Sequence, residues 1–164
     1  MRFKYRTTSA IVMALAISGG AATDAHANGQ DAVVTQGAAT ISESGKNLSV
    51  NQTSDKVLID WRTFNIAPDE HTNFIQPNSS SLAVNRVNAD YGQSQILGKL
   101  SANGNIVIIN GSGIMFGAGS QVDVNGLVAT TSDIDNADLA AGQMNFTKAG
   151  KADASVIKDR KSVV

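Results

Sequence analysis

Residues 106–131 alternate short β-branched runs with glycine- and asparagine-rich turns, and this alternation constrains the fold more than any other feature of the chain. Each apolar run is only a few residues long, and no stretch with a helical period separates one run from the next. Strands this short cannot bury enough apolar surface alone, whereas stacked repeats bury their faces against each other. The alternation therefore predicts a β-solenoid.

The same pattern extends through most of the chain. Period-2 or continuous apolar runs dominate, with Gly, Asn, Ser and Asp between them. The predicted strands are 39–41, 48–50, 57–61, 73–75, 82–84, 106–109, 114–116, 122–124 and 127–129. Residues 94–100 fit either another strand or a single helical turn.

Asn-Gly pairs mark the predicted turns, at residues 28–29, 103–104, 110–111 and 125–126. Such pairs supply positive φ in hairpins and serve equally well at solenoid corners. The four consecutive apolar residues 106–109 are typical of buried parallel strands rather than half-exposed hairpins. A β-sandwich is the alternative fold, because it also has many short strands with turns between them.

The N-terminus reads as an export signal. Three basic residues, Arg2, Lys4 and Arg6, precede an apolar run at 10–17 that is too short to span a bilayer, and 25–27 is a small-x-small cleavage site. We expect residues 1–27 to be a signal peptide that directs the chain to the periplasm. The mature chain would then begin at Asn28 and form one domain.

The charge of the expected mature chain excludes some function classes. Removing the leader leaves a net charge of −3, with no basic stripe for nucleic acid. No later apolar segment approaches a membrane span. The chain has no cysteine, so no disulfide can form in an oxidising periplasm. We expect a monomer that binds no nucleic acid.

Residues that could carry chemistry are few. His71 is the single histidine after the leader, and no nucleophile-elbow motif accompanies it. Asp133, Asp135 and Asp138 cluster with Asn136 but lack the spacing of a calcium loop, so turn-capping aspartates are favoured. We expect no catalytic residue, no metal and no cofactor.

Ordered sequence blocks carry a resemblance to a known family. They are Gln-Pro-Asn at 76–78, Leu-Ala-Val-Asn-Arg-Val at 82–87, Ser-Gln-Ile-Leu-Gly-Lys-Leu at 94–100, Ala-Asn-Gly at 102–104, Ile-Asn-Gly-Ser-Gly-Ile-Met-Phe-Gly at 109–117 and Val-Asn-Gly-Leu-Val-Ala-Thr-Thr at 124–131. Over residues 32–138, and more weakly to 157, the chain resembles the two-partner-secretion, or haemagglutination-activity, domain of filamentous-haemagglutinin-type exoproteins.

The resemblance implies an all-β, right-handed parallel β-helix with small antiparallel extra-helical or capping strands. It also implies a partner, a dedicated outer-membrane β-barrel transporter whose periplasmic domains bind the secretion domain. The passenger then crosses outward and folds progressively, so the product is secreted or held at the cell surface. The resemblance implies that the domain is a secretion signal and a folding nucleus, not an enzyme.

The resemblance also implies site residues. The family commonly has Asn-Pro-Asn-Gly where this chain has Asn110, Gly111, Ser112 and Gly113, so the first Asn and the last Gly are kept. Asn85 occupies another family-typical position. We expect these residues to serve transporter recognition, and expect Asn110→Ala to lower secretion while leaving the domain folded.

The sequence also predicts the limits of the domain and leaves two alternative functions open. We expect the β-helix domain to span 28–157, and the charged residues 158–164 to be a tail of a truncated or frameshifted gene rather than another coil. One alternative is a stand-alone adhesin that binds a glycan or a host-cell surface. The other is a β-helix polysaccharide enzyme, which would need a charged cluster on one face.

Overall fold

In the computed structural model, residues 27–163 are described, and these form fifteen short strands and one short α-helix. The predicted leader, apart from Ala27, lies outside the described residues. The strands are β1 (Val33–Gln36), β2 (Ala39–Ser44), β3 (Asn47–Gln52), β4 (Lys56–Trp61), β5 (His71–Ile75), β6 (Leu82–Val87), β7 (Ser94–Ile96), β8 (Lys99–Ala102), β9 (Asn105–Asn110), β10 (Ile114–Phe116), β11 (Gln121–Asp123), β12 (Gly126–Thr130), β13 (Asp133–Ile134), β14 (Phe146–Lys148) and β15 (Val156–Lys158); the helix α1 is Asn136–Ala140.

Three sheets wrap around one interior to give a β-solenoid of about four turns. Sheet A has the order β1-β4-β6-β9-β12, sheet B the order β2-β3-β5-β8-β11, and sheet C the order β7-β10-β15. Within each sheet the coil-to-coil pairs are parallel, such as β4 with β6 and β6 with β9. The predicted solenoid is therefore confirmed, and the β-sandwich is not the fold.

Stacking of equivalent positions builds the interior. Val57, Ala83 and Ile106 lie in register on β4, β6 and β9, and all three are at most 1% exposed. Because each coil places its apolar side chains on those of the previous coil, short strands bury a continuous core. Residues 94–100, left open between a strand and a helical turn, form β7 and β8 with a corner at Gly98.

Antiparallel strands lie at the N-terminal end of the solenoid. The strand β1 pairs antiparallel with β4, and β2 pairs antiparallel with β3. At the opposite end, β12 and β15 are each paired on one side with the preceding coil, whereas β11 pairs with β8 and is bridged on its other side by Val163. The expected small antiparallel strands are thus present, and they terminate the sheets at one end only.

A second apolar cluster lies on the outside of sheet A. Residues between β12 and β15 leave the coil and form β13, α1 and the antiparallel partner β14. From this excursion Ile134 and Leu139 pack on outward-facing Leu58, Val84 and Val107 of sheet A. Both faces of sheet A are therefore buried, which explains why β4, β6 and β9 are apolar on consecutive residues.

The last described residues return to the solenoid. The strand β15 pairs in parallel with β10, and Val163 forms a parallel bridge to Gln121. The backbone N–H of Val163 donates to the carbonyl of Ser120 over 2.9 Å. Residues 158–163 thus run beside β10 and β11, and the charged tail expected at 158–164 stays a prediction. The boundary at 157 and the truncated gene stay predictions.

The Asn-Gly pairs mark corners for a reason other than the expected one. Six glycines in the described chain have positive φ, and none of them belongs to an Asn-Gly pair. At Gly126, a Cβ atom would come within 2.5 Å of the Asn105 Oδ1 atom. Gly104 and Gly126 thus allow close approach between coils rather than a left-handed backbone.

Candidate functional site

The turn at Asn110–Gly113 closes between β9 and β10. The Gly113 N–H donates to the Asn110 carbonyl over 2.9 Å, which makes a β-turn. The Asn110 Oδ1 atom accepts from the Ser112 N–H over 2.8 Å, which is an Asx-turn. Gly113 has a φ of 107°, which favours glycine. The turn therefore forms without the proline at the position of Gly111.

The Asn110 side chain is buried in the interior. It is 0% exposed, and its Nδ2 atom donates to the Gly92 carbonyl over 3.0 Å and to the Ser94 Oγ over 2.9 Å. With the bond from Ser112, the amide has partners on both of its polar atoms. It joins its own turn to the preceding coil.

Neighbouring segments also cover the rest of the turn. The Ser112 Oγ donates to the Ala89 carbonyl over 2.5 Å. A Cβ atom on Gly113 would lie 2.9 Å from the Ser155 carbonyl oxygen. The four residues Asn110 to Gly113 are buried or half-buried. The contacts of these residues are packing contacts between coils, and their predicted role in transporter recognition stays a prediction.

Asn85 is likewise inside the solenoid and 0% exposed. Its Oδ1 atom accepts from the Trp61 Nε1 over 3.0 Å, and its Nδ2 atom donates to the Val107 carbonyl over 3.2 Å. In register it lies between Ile59 and Ile108, not between other asparagines. It satisfies the Trp61 indole in the core.

A groove of about 540 Å³ runs beside the turn, between sheet A and the excursion. Three cations line it, and each has a partner. Arg86 pairs with Asp133 over 2.8 Å, Lys148 pairs with Asp135, and Lys151 donates to the Ala89 carbonyl over 2.8 Å. Arg86 and Lys151 join the excursion to the solenoid, whereas the Lys148–Asp135 ion pair lies within the excursion.

The acidic residues at 133–138 make an ion pair, a local hydrogen bond and a helix N-cap position. Asp133 accepts from the Ile134 N–H over 2.7 Å as well as from Arg86, and Asp135 stands at the N-cap position of α1. In residues 27–163 no three His, Asp or Glu side chains converge as a metal site would require. The sequence missed the ion pairs because their partners are about 13 to 47 residues away.

His71 faces outward on sheet B. Its Nε2 atom lies 2.6 Å from the Ser101 Oγ, and Ser101 in turn donates to the Asn73 Oδ1 over 2.7 Å. Burial lowers the pKa of the His71 imidazole, and the positive charge of Lys99 lowers it further. The contact with Ser101 is a cross-strand one between adjacent coils.

A family model described as the TPS secretion domain matches residues 25–162. The chain belongs to the TPS secretion domain family. The match includes the excursion and β15, which the sequence blocks did not reach. No helix within 27–163 is long and apolar enough to cross a membrane.

Relatives of this secretion domain come from Haemophilus influenzae. Two heme/hemopexin-binding proteins are 38% and 36% identical over 68% and 79% of the chain. The chain spans only 12% and 14% of their lengths. The crystal structure of the HMW1 secretion domain superposes with a TM-score of 0.75 at 32% identity, covering 80% of this chain and 35% of that one.

Two polar groups of the interior escaped the sequence analysis. Ser94 receives the Asn110 amide, and Glu70 is a carboxylate only 4% exposed at the N-terminal end of the solenoid. Glu70 lies in a polar stretch with Asp69 and His71, which reads as a solvated loop. No periodic signal marks it, because its burial depends on residues far away in the chain.

Proposed function

We propose that this secretion domain carries a following polypeptide to a dedicated outer-membrane β-barrel transporter and starts β-solenoid folding at the cell surface. The observation that carries the proposal is the family match over residues 25–162, together with the likeness to the HMW1 secretion domain. The proposal includes an N-terminal leader for export to the periplasm. It assigns the chain no catalytic reaction.

The asymmetry of the two solenoid ends supports a role in nucleating folding. Antiparallel strands β1 and β2 terminate the N-terminal end, whereas β11, β12 and β15 follow the parallel coil order at the other end. A solenoid coil gains stability from the coil already in place. Further coils would therefore add in one direction, away from the N-terminal end.

The open edges of the sheets are the proposed docking surface for the transporter. Edge strands present unpaired backbone groups to which another strand can add. Asn85 and Asn110 are fully buried, so in this proposal they act through the fold. They hold in place the coils that present the edges.

A binding experiment tests the docking surface. The processed chain is mixed with the periplasmic portion of its transporter, and prolines are scanned through the edge strands β2, β12 and β15. Proline at an outward-pointing amide removes a donor without breaking the solenoid's own ladder. We expect such variants to bind more weakly, while circular dichroism shows them folded. Undiminished binding across all three strands would refute docking by strand addition.

A secretion experiment tests the function itself. The full chain, fused to a reporter, is produced with and without its transporter in a host that lacks both. We expect the reporter outside the cell only when the transporter is present. Equal export without the transporter would refute the proposal. Glycan or host-surface binding by the processed chain alone would instead favour the adhesin proposed from the sequence.

A further inference from the structure

The first described residues are an integral part of the solenoid's N-terminal end. Asn28 is 1% exposed, and its Oδ1 atom accepts from the Thr72 hydroxyl over 3.1 Å. Gln30 bridges Thr63 in antiparallel fashion, with its N–H donating to the Thr63 carbonyl over 2.9 Å. The expected start of the mature chain is therefore held inside the fold.

A buried carboxylate faces this segment. Glu70 is 4% exposed, and its Oε1 atom accepts from the Ala27 N–H over 2.7 Å. Its Oε2 atom accepts from the Ala67 N–H over 2.8 Å. Burying a carboxylate is costly unless opposing charge or strong donors face it. Glu70 thus contacts Ala27, the last residue before the expected cleavage site between Ala27 and Asn28.

Cleavage at that site would change the donors around Glu70. It removes the Ala27 N–H and leaves an α-ammonium group on Asn28, one residue further along, an advance of about 3.5 Å. We propose that Glu70 receives the α-ammonium group created by leader removal, so that processing completes the N-terminal closure of the solenoid. This inference rests on the leader included in the proposed function.

The pairing follows from charge and hydrogen bonding. An ammonium group supplies a positive charge and several N–H donors, whereas the Ala27 amide supplies one neutral donor. Charged groups near Glu70 are the Lys46–Asp69 ion pair, His71 and Lys99. All of these groups stay in every variant below.

The test compares the two glutamates of the chain. The full chain is exported with its leader, the processed protein is purified, and its first residue is determined by mass spectrometry. Glu70→Gln removes the proposed partner of the α-ammonium group. Glu43→Gln, on the exposed end of β2, is the matched control. Urea unfolding is then measured from pH 7 to pH 10.

The expected result has a defined pH dependence. A carboxylate partner raises the pKa of the α-amino group above its ordinary range of about 7.7–8.0. The stabilisation from this ion pair is complete below that range, and it is lost as pH rises through the pKa of the α-amino group in the folded protein. We expect the unfolding equilibrium constant of Glu70→Gln to exceed that of the native sequence about tenfold at pH 7. The difference between the unfolding equilibrium constants of Glu70→Gln and the native sequence should narrow by pH 10. The constant of Glu43→Gln should equal that of the native sequence throughout.

A second measurement needs no variant. The rate at which the native α-amino group reacts with an amine reagent is followed against pH, and the labelled N-terminal peptide is quantified. An α-amino pKa above the ordinary range supports the pairing. An α-amino pKa within that range, a difference between Glu70→Gln and the native sequence that does not change with pH, or a mature chain that starts elsewhere than Asn28 would overturn it.

Failure of this inference is distinguishable from failure of the proposed function. Transporter-dependent secretion of the reporter with an unpaired α-amino group would overturn the inference alone. A paired α-amino group in a chain that leaves the cell without a transporter would overturn the proposed function alone.

Discussion

Two asparagines, Asn85 and Asn110, show how a single polar residue can be essential to an apolar interior. A buried amide without partners costs free energy, but each of these has partners on both its oxygen and its nitrogen. Asn85 satisfies the Trp61 indole, and Asn110 connects its turn to Ser94. Their positions in the sequence motifs therefore reflect hydrogen-bonding needs inside the fold.

Asn110→Ala should destabilise the domain rather than leave it folded as the sequence alone suggested. The change removes three hydrogen bonds and leaves the Ser94 hydroxyl and backbone groups short of partners. We expect a loss of about 2–4 kcal/mol in the free energy of unfolding, measured with urea. Asn51→Ala, at an exposed position on β3, is the control. Equal unfolding midpoints for the two variants would contradict this role.

His71 provides a pH-dependent prediction at the same scale. Burial and the charge of Lys99 lower its pKa, so the unfolded chain takes up the proton first as pH falls. The stability that neutral His71 contributes is lost as pH drops from about 6.5 toward the lower folded pKa.

The titration of His71 can be followed by NMR on the processed chain. We expect a ring pKa below 6.5 in the native sequence. We expect Lys99→Gln to move the pKa part of the way back, since burial is the larger cause. An unchanged pKa in Lys99→Gln would contradict the charge contribution.

At the scale of elements, the excursion of β13, α1 and β14 is what the solenoid pattern does not explain. It covers the outer face of sheet A, where Leu58, Val84 and Val107 would otherwise face water. The ion pair of Arg86 with Asp133 joins the excursion to sheet A, and the ion pair of Lys148 with Asp135 joins two segments of the excursion. The excursion thus converts one sheet of the solenoid into a two-sided core.

Leu139→Ala tests that contribution. Leu139 is 3% exposed on α1 and packs in the outer cluster. Removing its side chain should cost about 2–5 kcal/mol in the free energy of unfolding. Met144→Ala, 38% exposed after the same helix, should cost far less. If both variants unfold at the same urea concentration, the excursion does not stabilise the sheet.

At the scale of the whole molecule, stability should decline toward the open end. Strands β4, β6 and β9 have hydrogen-bonded neighbours on both sides, whereas β12 and β15, in the last coil, have sheet neighbours on one side. Val128 and Val156, in this last coil, are 42% and 44% exposed. A coil without a following coil lacks half of its stacking contacts.

Hydrogen exchange should reveal this gradient. We expect amides of β6 and β9 to exchange at the rate of global unfolding, and those of β12 and β15 to exchange faster through local opening. Peptide-level mass spectrometry resolves the two groups. Uniform protection from β4 to β15 would mean that the solenoid opens as a single unit.

The sequence determined the stacking fold because its signal is local and repeated. Short apolar runs recur at each coil, and the strands predicted at 57–61, 106–109 and 114–116 all lie within or match β4, β9 and β10. The turn at Asn110–Gly113 was also predictable, since Asn and Gly act on their own turn. The family blocks fall in the same repeated region.

Only the tertiary structure decided which of these residues are accessible and what fastens the coils together. Asn110 and Asn85 read as recognition residues in sequence, yet both are inside. Glu70 reads as a loop carboxylate, yet it is buried against Ala27. The excursion's ion pairs join residues far apart in the chain. Burial and pairing depend on contacts between coils, and a local pattern carries no record of which coil lies against which.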